Sequence, residues 1–210
     1  PFMGGLAVKS NYIPMLLNAP FIIGLSMLLC AVTAHSVIFL CQSPRINPLM
    51  AGLYATAITT GIAALCFMLA GYQLQHEPRQ EPEIFYNLLF WGGGHVLQFV
   101  YTNVMLVSWL WLASIMGITL KISPAKTVWL FALNVLCILP TPLFFLLTPD
   151  PSASMPWFTT HMQIFAGIVP TLLGIIILWS WHHRTAATQA IPGYIRTTLL
   201  FSLLFFAYGG

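Results

Sequence analysis

Six stretches of this chain run almost without a polar break, at roughly 19–41, 49–75, 84–119, 127–148, 157–181 and 194–210. Each is about long enough to cross a hydrocarbon core of ~30 Å as a helix. A β-barrel needs short segments of alternating polarity, whereas these runs are continuous, so helices are the predicted spanning element. The connectors carry turn formers: Ser43-Pro44 and Asn47-Pro48, Glu77-Pro78 and Glu81-Pro82, Ser123-Pro124, Pro149-Asp150-Pro151, and Ile191-Pro192-Gly193. Short connections make successive helices neighbours. With no repeat and no low-complexity linker, residues 1–210 read as one transmembrane domain. Pro140 and Pro142 in the fourth span, and Pro170 in the fifth, predict kinks or freed carbonyls.

Composition agrees. Hydrophobic residues make up 59% of the chain and charged residues 5%, against about 25% charged in soluble domains, and the mean hydropathy is +0.87. The fold class is therefore an all-α, polytopic transmembrane helix bundle. All eleven Lys, Arg, Asp and Glu fall at or between span ends. Arg45, Lys121, Lys126, Arg184 and Arg196 share one side without an acid, which marks it as cytoplasmic. Lys9, Glu77, Arg79, Glu81, Glu83 and Asp150 collect opposite. Orientation thus accounts for the net charge of +3, and nucleic acid is not an expected partner. The chain opens on Pro1 with no signal-peptide pattern and closes on Gly209-Gly210, so it reads as a segment of a longer polypeptide. Cys30 and Cys41 in the first span, Cys66 in the second and Cys137 in the fourth are scattered without CxxC spacing, as small packing residues are.

Chemistry concentrates in the third span. The run Leu89-Phe90-Trp91-Gly92-Gly93-Gly94-His95-Val96-Leu97-Gln98-Phe99 sets an ionisable side chain at membrane depth, where it faces the protein interior by default. Metal ligation, proton transfer and a hydrogen bond to a neighbouring helix all remain open for His95. The preceding glycines weaken the helix by roughly 1 kcal/mol each, a cost that fits the close approach of another helix or a flat cofactor. Trp91, one turn away, is a candidate pocket wall. Thr159, Thr160 and Thr171 are candidates for a polar path. His35 reads as an interhelical donor, His76 as a solvated loop residue, His161 as interfacial, and His182 and His183 as headgroup residues beside Arg184.

The pattern Phe90-Trp91, Gly94-His95, Phe99 and an aromatic-rich continuation to Trp109 resembles the sixth helix of the catalytic subunit of haem-copper oxidases. Pro140 to Phe145 resembles the seventh helix, Asp150-Pro151 through Phe158-Thr159 the loop into the eighth, and Ile168-Val169-Pro170-Thr171 the proline stretch within the eighth. The resemblance maps the six spans onto helices four to nine of a twelve-helix subunit I. It implies a terminal oxidase passing electrons from cytochrome c or quinol to oxygen, with other oxidase subunits as partners, in a bacterial inner membrane. His95 then corresponds to a copper ligand. The two histidines that the seventh helix would add fall near Phe144 and Phe145, so the implied copper site is incomplete, and the haem ligands would lie outside this stretch. Two alternatives stay open: a non-catalytic haem-binding electron-transfer or sensor protein, and a transporter or assembly protein whose broken helices line a cavity.

Overall fold

Proline opens four of the helices, at the one position where its missing N–H costs nothing. The computed structural model describes residues 6–10, 13, 15–42, 46–75, 81–147, 151–183 and 192–209. It comprises a two-stranded antiparallel hairpin, β1 (Leu6–Val8) and β2 (Met15–Leu17), followed by α1 (Ala19–Leu40), α2 (Pro48–Gln75), α3 (Pro82–Ile115), α4 (Pro124–Ile138), α5 (Thr141–Leu147), α6 (Pro151–His182) and α7 (Gly193–Gly209). Side-chain caps complete several starts: Asn18 Oδ1 accepts from Phe21 N–H at 2.9 Å, Asn47 Oδ1 from Met50 N–H at 3.0 Å, and Ser123 Oγ from Lys126 N–H at 3.3 Å. At the end of α3, Gly117 takes φ +67°. Ile118 N–H then reaches back to Ala113 O at 2.9 Å, and Gly117 N–H to Ser114 O at 3.0 Å, the paired bonds of a glycine-terminated helix.

Five helical spans are long and apolar enough to cross a membrane, and Gly193–Tyr208 is a shorter apolar helix. Their limits follow the six apolar stretches closely. The kink predicted in the fourth span is a full break: the span is two helices, interrupted at Leu139-Pro140, because Pro140 has no N–H for the ladder and its ring crowds the preceding turn. Pro170, by contrast, sits inside an uninterrupted α6. The β1–β2 hairpin is absent from the sequence reading. Of the charges that set the orientation, Arg45, Glu77, Arg79, Asp150 and Arg184 lie outside the described residues, as do His76 and the side chain of Trp157.

The helices meet along seams in which the buried positions step alternately by three and four. On α3 one such row is Gly92, Val96, Phe99, Asn103, Leu106, Leu110 and Ala113, with Trp91, Gly93, His95 and Trp109 buried beside it. On α4 and α5 they are Thr127, Phe131, Asn134, Ile138, Thr141 and Phe145, so the rhythm passes through the break unchanged. Such stepping is the signature of helices crossing at a shallow left-handed angle. The buried face of α2 is dominated by small side chains, among them Ala51, Gly52, Ala55, Ala63, Cys66 and Ala70, while Leu53, Leu65 and Met68 point outward. Small residues inside and large ones outside are expected where lipid is as apolar as any core and close backbone approach is what holds helices together. Ser36 alone is buried on α1, which packs chiefly along α2.

Candidate functional site

His95 lies inside the bundle, 8% exposed. One turn earlier on the same face, Trp91 is buried, its ring edge-on to the imidazole with centroids 5.9 Å apart. The indole N–H of Trp91 donates to Thr159 Oγ1 of α6 at 2.9 Å. Phe144 and Phe145 of α5 pack on the same indole, at centroid distances of 5.7 and 6.4 Å. On the other side of the turn, His95 Nδ1 lies 3.4 Å from Gln98 Oε1.

The glycines ahead of His95 have a direct explanation. A Cβ on Gly92 would collide with the Phe145 ring, and a Cβ on Gly93 with the Phe67 ring of α2. The groups that come close are thus phenyl rings from two neighbouring helices. Gln73 of α2 donates through Nε2 to the Phe145 carbonyl, tying the end of α5 in place. Trp91, Phe99, Phe145, Ile138, Cys66 and Met162 belong to one buried cluster.

Of the proposed polar path, Thr159 joins this site through its bond to Trp91. Thr160 and Thr171 are exposed on α6. His161 is partly buried, its ring 4.5 Å from that of Phe165. His35 is exposed on α1 and does not stand in a helix–helix seam, so the expected interhelical role is not seen. His182 and His183 are exposed at the end of α6 and its following turn. The four cysteines are free.

A second polar cluster escaped the sequence reading. Asn134 Nδ2 of α4 donates to Asn103 Oδ1 of α3 at 2.7 Å, and Asn103 Nδ2 donates to Thr59 Oγ1 of α2 at 3.3 Å. Thr59 completes the chain by donating to Ala55 O at 2.7 Å. All three side chains are fully buried, and Asn134 Oδ1 has no hydrogen-bond partner among the described residues. Two asparagines within apolar runs were the available signal, since a polar amide at membrane depth needs a partner on another helix. Asn103 follows His95 by two turns on α3, about 12 Å along the axis.

The contacts around His95 include the Trp91 ring and the Gln98 side-chain amide. No group of three His, Cys, Asp or Glu side chains gathers among the described residues. Copper held by nitrogen ligands needs more than one imidazole.

No family model matches the chain, and no solved structure matches it. It is similar to an uncharacterized protein of Rickettsia prowazekii (strain Madrid E), 28% identical over an alignment covering 100% of this chain and 48% of the relative. A second relative is an uncharacterized protein of Aquifex aeolicus (strain VF5), 26% identical over 98% of this chain and 50% of the relative. The chain spans about half the length of these relatives.

Proposed function

We propose that this chain is part of a membrane subunit built on the haem-copper oxidase plan that has given up the copper centre, and that it serves haem-linked electron transfer or sensing. One observation carries the reading. His95 is an interior histidine beneath Trp91, and the α5 residues packed on that tryptophan, where the oxidase pattern would bring two more histidines, are Phe144 and Phe145. Phenyl rings cannot ligate a metal, so Phe144 and Phe145 offer His95 no ligand partner of the kind a copper centre uses. Haem, where bound, supplies one-electron chemistry. This chain's contribution is an apolar, tightly packed wall and one interior imidazole with Gln98 Oε1 within 3.4 Å of its Nδ1.

A transporter is the second reading, favoured by the break at Leu139-Pro140 next to a buried amide chain. Helices interrupted near the middle of a bundle are a recurrent feature of substrate cavities in transporters. An absorption spectrum with metal analysis of the purified full-length protein separates the readings. Haem without stoichiometric copper is the expected result. Haem with one copper per protein would restore the oxidase, and absence of haem would leave the transporter.

A further inference from the structure

Asn134 is fully buried, and its Oδ1 meets no donor among the described residues. An amide oxygen kept from both water and donors carries its full desolvation cost, and lipid around the bundle has no N–H or O–H to offer it at this depth. Turning the amides over does not remove the problem. Asn134 ends a chain that runs through Asn103 to Thr59 and the Ala55 carbonyl. Rotating its amide alone would set its oxygen against Asn103 Oδ1, acceptor against acceptor, and reversing Asn103 as well would leave the Asn134 N–H groups as the unpaired end.

A second acceptor stands close by. Asn103 Oδ1 takes one hydrogen bond, from Asn134 Nδ2, and a carbonyl oxygen has lone pairs for two. The oxygen and nitrogen of one amide are roughly 2.3 Å apart, so with Asn134 Nδ2 at 2.7 Å from Asn103 Oδ1 the two oxygens lie within about 5 Å of each other. One small molecule that donates twice, at about 2.8 Å per bond, reaches both. Two neutral amide oxygens fall well short of the oxygen shell that a hard divalent cation takes.

We propose that one water molecule is bound where α2, α3 and α4 meet, donating one O–H to Asn134 Oδ1 and the other to Asn103 Oδ1. Buried waters take about two to four such partners and are held where protein groups would otherwise go unpaired. This water supplies the donor that Asn134 lacks and joins α3 to α4 a second time, beside their direct amide bond. The site uses neither His95 nor Trp91 and stands or falls independently of the haem proposal.

Solid-state NMR of the full-length protein in bilayers tests this by passing magnetisation from water protons to isotope-labelled side chains. Short mixing should reach Cγ of Asn103 and Asn134 but not the rings of Phe131 or the methyls of Ile138, which are buried a turn to either side of Asn134. Asn134→Leu should abolish the transfer to Asn103 while the rest of the spectrum keeps its positions. No transfer to either asparagine in the wild type would overturn the proposal, as would transfer that survives in Asn134→Leu. Equal transfer to Phe131 and Ile138 would overturn it too, since that describes a water-filled passage and not one bound molecule. The wild type also gives a test that needs no variant: a high-resolution structure should show one peak of density within about 3.2 Å of both amide oxygens, and a junction without that peak would sink the assignment.

Discussion

An imidazole at His95 sits where water is scarce, and what it can do depends on what its neighbours leave free. Trp91 presents a ring edge and spends its N–H on Thr159, so the indole is a fixed wall rather than a donor toward the site. Trp91→Phe should therefore destabilise by about 0.5–1 kcal/mol, the usual worth of an interhelical hydrogen bond in a bilayer. Thr159→Val should cost a similar amount, and the double variant little more than either alone, measured by reversible unfolding in mixed micelles. Strictly additive costs would show that the bond contributes nothing. Gly92 is constrained by sterics: Gly92→Leu drives a side chain into the Phe145 ring, with an expected penalty of at least 1–3 kcal/mol. Adding Phe145→Ala should recover part of that loss, because it removes the ring the new side chain meets. A Gly92→Leu protein as stable as wild type would contradict this packing.

At the scale of elements, the fourth span is held differently on the two sides of its break. α4 is pinned through Asn134 to Asn103 and Thr59, whereas α5 is pinned by Gln73 on its backbone and by Phe145 against Gly92. A polar residue on a helix seam sets register, because a slip would bury unpaired amides. Asn134→Leu leaves Asn103 Oδ1 without its donor, and Asn103→Leu strands both neighbours. Each single substitution should cost about 1–2 kcal/mol, and the Asn103→Leu, Asn134→Leu double variant less than their sum, since replacing both partners removes the unpaired group. The same unfolding measurement gives the coupling, and a sum equal to the double-variant cost would mean that the amides act independently.

For the whole molecule, orientation follows from the side that carries lysine and arginine without acids. In a background lacking native cysteines, Glu83→Cys should react with an impermeant thiol reagent added outside intact cells, and Lys121→Cys should not. The reverse pattern would invert the topology.

The chain by itself determined that helices form and where they run. Hydrocarbon-length apolar runs admit no other spanning structure, and prolines at positions 48, 82, 124 and 151 mark where helices begin. It also determined that His95 carries interest, because an ionisable side chain inside such a run is costly. Which face of each helix turns inward was not legible. In water, burial sorts apolar from polar, but here both the lipid side and the protein side are apolar, so Leu65 and Met68 of α2 face out while Ala63 and Cys66 face in. The triple glycine announced a close approach without saying whose, and only the tertiary structure supplied the rings of Phe145 and Phe67. The link from Trp91 to Thr159 spans 68 residues, and that from Asn103 to Thr59 spans 44. Local periodicity cannot report partners at such separation, because their pairing is decided by how the helices cross and not by the sequence near either end.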